Sequence, residues 1–152
     1  YGLQRYDLMY NDFVIVGPEA PLAARQSDID AHFGGESWGD ILRSLNADVT
    51  EFAAETLKRL QKNAPLSMAC AIELMHRMRP VRGIAQALEL EYRFTHRAME
   101  HADFLEGIRA AIIDKDRTPA WKHAFENVPD LDVMRMLLPL GADTLTFEGK
   151  NT

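Results

Sequence analysis

The sequence has 152 residues, of which 47% are hydrophobic and 26% are charged, enough length and apolar content to bury the core of one domain. Its formal net charge of -6 argues against nucleic acid or an anionic membrane as the general partner, because phosphate binding requires a basic surface that releases counterions. No run approaches the roughly 18 apolar residues that a membrane span requires. Any site for an anion must therefore be local.

The first twenty residues differ in character from the rest of the chain. Residues 13–16, FVIV, are β-branched and aromatic and are bounded by polar and turn-forming residues, which predicts a short buried strand. Its backbone groups need a sheet partner. The alternation at residues 144–147, TLTF, would suit an edge strand or an extended tail, so either the two pair or the opening stretch comes from a different context. Because the chain opens on Tyr1, we expect a processed or excised piece.

Helical signals dominate after residue 20. A serine or aspartate stands three residues before a carboxylate at three places, a pattern that satisfies the free N–H groups of a helix start. The three pairs are Ser37 with Asp40, Asp48 with Glu51, and Asp103 with Glu106. Together with the glycine, proline and asparagine breakers between them, these pairs predict a series of helices. We place the helices at about 27–33, 37–45, 48–62, 67–79, 84–101, 103–114, 119–127 and 132–138.

Two of the predicted helices are long enough to show their faces. The helix at 67–79 carries one apolar stripe, which we expect to face the core. That stripe consists of Met68, Ile72 and Met75, with Ala71 and Met78 beside it. The helix at 84–101 carries two stripes, more apolar width than one neighbour needs, so we expect it to lie between layers. Its stripes are Ile84, Leu88, Tyr92, Thr95 and Met99, and Ala87, Leu90, Phe94 and Ala98.

Few motifs point to chemistry. The histidines, His32, His76, His96, His101 and His123, form no metal-ligand spacing, so we expect no metal site. We expect His76 and His96 on solvated helix faces. The single Cys70 fits a reducing compartment and, beside alanines on an apolar helix, is expected to be a small core residue and not a nucleophile. No carboxylate has a motif that makes it catalytic.

The most informative stretch is DFLEGIRAAIIDKDRTPAW, residues 103–121. An apolar helical run passes directly into the charged residues 114–117, and Pro119 prevents the helix from continuing, so one interpretation is simply a helix end. The alternative is a local grip on a phosphorylated ligand that carries a planar base. Its cationic and aromatic groups would be Arg109, Lys115, Arg117, Lys122 and the indole of Trp121. The residues alone leave both interpretations open.

This stretch resembles the C-terminal region of the 3-hydroxyisobutyryl-CoA hydrolases, a branch of the enoyl-CoA hydratase (crotonase) superfamily. The resemblance rests on EYR at 91–93, DFLEGIRAAIIDKD at 103–116, and the residues Pro119 and Trp121. Weaker agreement is found in APLS at 64–67 and in IDAHFGGESWGDILRSL at 29–45. The resemblance covers about residues 20–147. It predicts a mainly α fold, in which residues 20–152 are the helical C-terminal domain of a crotonase-type protein.

The resemblance also implies a function. It implies an acyl-CoA thioester hydrolase of valine degradation that needs no metal and no cofactor beyond the coenzyme A of its substrate. In that family the oxyanion hole and the catalytic Glu and Asp belong to an N-terminal core, so we expect a fragment that lacks catalytic residues and is inactive alone. By analogy with the basic and aromatic end of crotonase chains, Lys115, Arg117 and Trp121 are the predicted contacts to coenzyme A. We expect a cytoplasmic protein, compatible with a homo-oligomer.

Other interpretations remain open at this point. Residues 1–18 resemble a segment of the tungstate-binding periplasmic proteins of ABC importers. Residues 1–19 are therefore either a foreign piece or a natural extension of the chain. A solute-binding protein is a further hypothesis that rests on this segment. A helical interaction module could bind a protein through the apolar face of the helix at 84–101. A third alternative is an enoyl-CoA hydratase/isomerase of other acyl-CoA specificity. Exposed apolar residues on that helix would fit both a module and a fragment without its core.

Overall fold

The computed structural model describes residues 21–147, and this part of the chain is mainly α-helical, as predicted. Its helices are α1 (Gln26–Phe33), α2 (Trp38–Ala47), α3 (Glu51–Leu60), α4 (Pro65–Met78), α5 (Ile84–His101), α6 (Phe104–Ile108) and α7 (Asp130–Met136). A π-helical turn, Arg109–Ile113, continues α6, and short 3-10 turns lie at Ala23–Arg25 and Gly141–Asp143. The predicted strand at 13–16 lies outside the described residues. Residues 144–147 form no strand, so the edge-strand alternative is wrong there.

The core forms where α2 packs on α3 and α4, and where α4 packs on α7. Leu45 of α2 and Leu137 after α7 are completely buried. Trp38 joins this core to the chain before α7, because its indole N–H donates to the carbonyl of Phe125 at 2.8 Å and its ring meets the Phe125 ring edge-on. Burial of large apolar side chains, at about 1.5–3 kcal/mol each, is the main stabilising contribution here.

The predicted helix starts are only partly correct. At Ser37 the capping box is present, with the Ser37 hydroxyl accepting from the Asp40 N–H and the Asp40 carboxylate accepting from the Ser37 N–H. The predicted start at Asp48 is wrong, because Thr50 caps α3 by accepting the Ala53 N–H at 3.3 Å. Asp48 lies before the helix and accepts from the Thr50 N–H. The start at Asp103 is correct, because Asp103 is the N-cap residue of α6, but its side chain makes no capping bond to its own helix.

The predicted helix at 119–127 is also wrong. The chain is irregular there and holds one isolated bridge, between Ala124 and Asn127. A helix would need these N–H groups to donate to carbonyls four residues earlier. The N–H groups of Ala120 and Lys122 instead donate to the side chains of Glu106 and Asp103.

The predicted core stripe of α4 needs correction. Its buried residues are Pro65, Leu66, Ala69 and Cys70. Met75 is 67% exposed, whereas Met68 and Ile72 pack at the margin of the core. Because α4 is apolar on several faces, periodicity alone does not predict which face packs against the core. The small residues Ala69 and Cys70 let α2 and α7 approach this helix closely. Cys70 is 1% exposed, as expected of a core residue.

Helix α5 is not enclosed between layers within the described part of the chain. It contacts α4, α6 and α7 through one stripe, in which Ala98 is buried and Phe94 packs against the core. The other stripe faces solvent, with Ile84 75% and Met99 58% exposed. The sequence therefore predicted the apolar width of this helix correctly, but not a second covering layer.

Two remaining expectations concern the histidines. His96 is exposed, as predicted. His76 is not on a solvated face, because its side chain is only 18% exposed and its Nδ1 lies 2.9 Å from the carboxylate of Glu36. Among the helices of residues 21–147, none has the length and apolar character to cross a membrane.

Candidate functional site

Arg109 is the centre of the charged turn. Its Nε and Nη2 donate to the two carboxylate oxygens of Glu106 at 2.9 and 2.8 Å, a bidentate pair. Its Nη1 donates to Asp114 at 2.6 Å and to Asp116 at 2.8 Å. We call these four side chains the Arg109 cluster. Of the cations predicted for a phosphorylated ligand, Arg109 is thus already bonded to three carboxylates.

The carboxylates of this stretch also fix the chain that follows it. Asp116 accepts the N–H of Thr118 at 2.9 Å, and Glu106 accepts the N–H of Ala120 at 2.7 Å. Asp103 accepts the N–H of Lys122 at 2.8 Å. The three bonded amides are every second residue, the period of extended chain. The charge in DFLEGIRAAIIDKD thus orders residues 118–122, which a helix end alone would leave to solvent.

These hydrogen bonds lower the pKa values of Glu106 and Asp116. Hydrogen bonds from Arg109, and then from the Ala120 N–H, lower the pKa of Glu106 to about 2. Arg109 and the Thr118 N–H lower the pKa of Asp116, and the same carboxylates raise the pKa of Arg109. Both acids are ionised at neutral pH and already bonded. They are suited to holding structure and not to transferring protons.

Trp121 is placed by this arrangement. Its ring lies against Gly107, with Cη2 at 3.7 Å from the position that a Cβ on that glycine would occupy. The indole forms part of the wall of a cavity of about 300 Å³ between α5, α6 and the start of α4. The other walls are mostly apolar: Ala64, Ser67, Phe94, Ala98, Ala102, Asp103, Phe104, Gly107, Ile108 and Ile112.

Asp103 is the ionisable group on that wall. It is 6% exposed, and its Oδ2 is buried without a hydrogen-bond partner in the described part of the chain. An unpaired buried polar atom carries a desolvation cost of about 1–3 kcal/mol, so such atoms in folded proteins call for an explanation. Because Oδ2 has no accessible surface, the cavity presents mainly apolar side chains to a ligand, while Asp103 holds the Lys122 N–H through its other oxygen.

Lys115 and Arg117 occupy the exposed turn after the π-helical segment. Their φ angles are 57° and 55°, the left-handed region that side-chain-bearing residues rarely adopt. The turn is closed by the Arg117 N–H, which donates to the carbonyl of Ala110 at 3.0 Å. Within residues 21–147 neither side chain forms an ion pair or a hydrogen bond. Backbone strain of this kind, about 1–3 kcal/mol per residue, recurs at ligand sites.

The structure therefore separates the three predicted contacts into two places. Trp121 borders the cavity, whereas neither Lys115 nor Arg117 forms part of its wall. Sequence reasoning missed the Arg109 cluster and the buried Asp103. The Glu106–Arg109 spacing of three residues was a usable signal for the pair, since such side chains meet on a helix. Nothing local in the sequence indicated the bonds to residues 118, 120 and 122.

Neither the single cysteine nor the acidic and imidazole side chains of residues 21–147 form a further reactive site. Burial raises the pKa of the Cys70 thiol to about 12, so this residue is not a nucleophile. Over residues 21–147, no three His, Cys, Asp or Glu side chains come together in a way that could hold a metal ion.

The fold and this stretch of sequence together place the chain in a known class. The chain belongs to the enoyl-CoA hydratase/isomerase family, which matches residues 7–137. The structure is similar to a crystal structure of an enoyl-CoA hydratase from Rhodobacter sphaeroides 2.4.1, with a TM-score of 0.80 and 45% identity over 95% of this chain and 44% of that chain. It is also similar to a carnitinyl-CoA dehydratase from Mycobacterium thermoresistibile, with a TM-score of 0.77 and 28% identity over 88% of this chain and 38% of that one.

The curated relatives narrow the class further. The mitochondrial 3-hydroxyisobutyryl-CoA hydrolase of Rattus norvegicus is 36% identical over 121 residues, which is 78% of this chain and 31% of the rat protein. The human protein of the same name is 32% identical over 128 residues, which is 83% of this chain and 33% of the human protein. The chain thus spans about a third of the length of these relatives. The predicted crotonase-type relationship is confirmed.

The resemblance of residues 1–18 to tungstate-binding proteins has a different outcome. The family match begins at residue 7, inside the segment that resembles tungstate-binding proteins. The comparisons give that second resemblance no support. The boundary at residue 19 stays a prediction.

Proposed function

We propose that this chain is the helical C-terminal part of an acyl-CoA thioester hydrolase of the 3-hydroxyisobutyryl-CoA hydrolase type, acting in valine degradation. The observation that carries the proposal is its 36% identity to the rat hydrolase over 121 residues. In this proposal the oxyanion-hole donors and the catalytic carboxylates belong to residues outside the chain. The engagement of Glu106 and Asp116 in the Arg109 cluster supports this division of labour, because neither acid is free to act as a base.

The thioester chemistry requires groups that stabilise charge on the carbonyl oxygen in the transition state and a carboxylate that attacks or activates water. The role proposed for this chain is to cover the coenzyme A side of the pocket. Lys115 and Arg117 would attract the phosphates, since both are exposed cations without a partner among the described residues. Trp121 would offer its ring to a planar base.

A thioesterase assay tests the first part of the proposal. The isolated chain should release no more coenzyme A from 3-hydroxyisobutyryl-CoA than buffer does. A longer chain that includes the upstream reading frame should hydrolyse it. Hydrolysis by the isolated chain would contradict the proposal, because the reaction centre would then lie within these residues.

Calorimetric titration with coenzyme A tests the proposed contacts. Replacing Lys115 and Arg117 together by alanine should weaken binding at least about tenfold, because two charge-assisted hydrogen bonds of about 1.5–3 kcal/mol each are lost. The matched control replaces Lys58 and Lys62, two exposed lysines around the end of α3, and changes the net charge equally. Equal weakening in both double variants would show that binding depends only on the net charge of the chain, which would contradict direct contacts from Lys115 and Arg117.

A second candidate is favoured by a specific observation. The solvent-facing stripe of α5, with Ile84 and Met99 well exposed, is what a helical interaction module would present. It is also what the helical part of a larger enzyme would present to its own core. Co-expression with the upstream segment distinguishes the two: tight association that buries this stripe supports the enzyme, and indifference to the segment supports the module.

A different acyl-CoA specificity is the third candidate, suggested by the hydratase and dehydratase that the fold resembles. Parallel assays of hydrolysis and of enoyl-CoA hydration on the longer chain would distinguish the two activities.

The proposed cytoplasmic location and homo-oligomer are tested by cell fractionation and light scattering. Fractionation is informative because the rat and human relatives are named as mitochondrial proteins.

A further inference from the structure

Asp103 uses its carboxylate in an unusual way. It is the N-cap residue of α6, where an aspartate ordinarily accepts free amides of its own helix. Its side chain makes no such bond, and its Oδ1 instead accepts the N–H of Lys122 at 2.8 Å, 19 residues further along the chain. The carboxylate is thus bonded to the loop that carries Trp121 and not to its own helix.

The first turn of α6 holds Trp121 at three points. The N–H groups of the residues before and after Trp121 donate to Glu106 at 2.7 Å and to Asp103 at 2.8 Å. The benzene edge of the indole lies against Gly107. Side chains three residues apart lie on the same side of a helix, so one turn supplies both acceptors and the surface against which the ring rests. The position of the indole is therefore set by α6.

The two acids differ in what else they hold. Glu106 also forms the bidentate pair with Arg109, the centre of the charged turn. It therefore joins the indole to the turn that presents Lys115 and Arg117. Asp103 has no second partner within residues 21–147, because its Oδ2 is buried and unbonded there. Since this oxygen has essentially no accessible surface and the residue is 6% exposed, Asp103 acts on a ligand only through the loop.

We propose that Asp103 is a positioning residue for the base of coenzyme A. By fixing the Lys122 N–H, it holds the indole of Trp121 where a planar base stacks on it. The proposal rests on the proposed coenzyme A contacts and adds which part of the ligand each acid serves. Asp103 serves the base alone, whereas Glu106 serves the base and the phosphates together.

Two probes separate the base from the phosphates: coenzyme A, and phosphopantetheine, which carries a phosphate and no base. Each is titrated calorimetrically into the full 152-residue chain. Asp103→Ala should weaken coenzyme A binding roughly tenfold, within the range for loss of one stacked base, and leave phosphopantetheine binding unchanged. Asp103→Asn, which keeps an oxygen acceptor for the amide, should restore most of the affinity. Glu106→Ala should weaken the binding of both probes.

A double-mutant cycle locates the effect at the indole. Trp121→Ala should weaken coenzyme A binding roughly tenfold, and adding Asp103→Ala should then cause no further loss. The indole N–H signal of Trp121, assigned by its absence in Trp121→Phe, should shift in Asp103→Ala without any ligand and return in Asp103→Asn. Asp48→Ala is the matched control and should change neither measurement, because Asp48 also accepts a backbone N–H, that of Thr50, at 2.9 Å.

Circular dichroism confirms that each variant is folded. If Asp103→Ala is not, the same bond is removed from its donor side. Lys122→Pro removes the donated N–H together with the charge, whereas Lys122→Gln removes the charge alone. Coenzyme A binding should then be weaker in Lys122→Pro than in Lys122→Gln, with phosphopantetheine binding equal in the two variants.

The outcomes distinguish this proposal from the function on which it rests. Equal weakening of both probes by Asp103→Ala, or weakening of neither, would overturn the positioning role while the coenzyme A contacts stand. A further loss from Asp103→Ala in the Trp121→Ala background would overturn it too. A wild-type chain that binds no coenzyme A would overturn the proposed contacts, and the role of Asp103 with them.

Discussion

Two regions of this molecule are ordered by different forces. Around Leu45 and Leu137, the four helices α2, α3, α4 and α7 bury apolar side chains almost completely. Around Arg109, partly exposed charges and backbone amides hold an irregular segment with few buried side chains. The first kind of order responds to lost volume and little to pH, whereas the second responds to protonation and salt. A chain can therefore lose its proposed ligand surface while its core remains folded.

The largest expected effect breaks the core. Leu45→Ala should lower the free energy of unfolding by about 2–5 kcal/mol, because it leaves a cavity at a completely buried position. Urea denaturation followed by circular dichroism measures the loss. The control is Val49→Ala at a fully exposed position, expected to stay within about 0.5 kcal/mol of wild type. A small loss at Leu45 would mean that the surrounding helices close the cavity.

The next effect breaks the other region alone. Arg109→Gln removes the partner of three carboxylates, so the turn should loosen while α2 and α4 stay intact. Hydrogen exchange should show faster exchange at the amides of Ala120 and Lys122, with core amides unchanged. Arg43→Gln, at an exposed ion pair of α2, is the matched control. Uniformly faster exchange throughout the chain would contradict the independence of the two regions.

A smaller effect sharpens the comparison through pH. The folded pKa of Glu106, about 2, is below its ordinary value of 4.5, so its ionised form stabilises the folded state. That contribution is complete above about pH 4.5 and is lost as the pH falls towards 2. Urea titrations across this range should show a shallower decline for Glu106→Gln than for wild type. Identical slopes would show that Glu106 is not held by Arg109 in solution.

The smallest effect tests how closely Trp121 approaches α6. A methyl group at Gly107 would meet the indole at 3.7 Å, an ordinary contact, so Gly107→Ala should stabilise the chain by about 0.5–1 kcal/mol through helix propensity. Gly35→Ala should instead destabilise it, because its Cβ would lie 2.7 Å from the Cβ of Asp40. Thermal unfolding measures both. A loss at Gly107 would indicate a tighter fit of the indole.

Much of the helical framework could be predicted because its determinants are local. The bounds of α5, residues 84–101, follow from the breakers on either side, and the capping box at Ser37 places α2. The failure at 119–127 has the opposite cause. The groups that hold Ala120 and Lys122 are 14 and 19 residues earlier in the chain, beyond any local pattern.

The site was predictable to a similar extent. An indole after a proline at the end of a charged helix indicated a surface of interest, and Trp121 does border a cavity. Counting charges, however, could not show which cations are already neutralised. Arg109 lies within reach of three acids, whereas Lys115 and Arg117, only a few residues away, form no ion pair within residues 21–147.

The amides at 118, 120 and 122 are bonded at every second residue, which constrains the length of the loop at residues 118–122 more than its composition. Removing or adding one residue between Thr118 and Lys122 would present the intervening N–H groups to Glu106 and Asp103 and rotate every following side chain to the opposite side. The indole would then leave Gly107 and turn to water. Related chains should therefore keep the residue count from 118 to 122 and the carboxylates that bind these amides, while the other side chains of this loop vary.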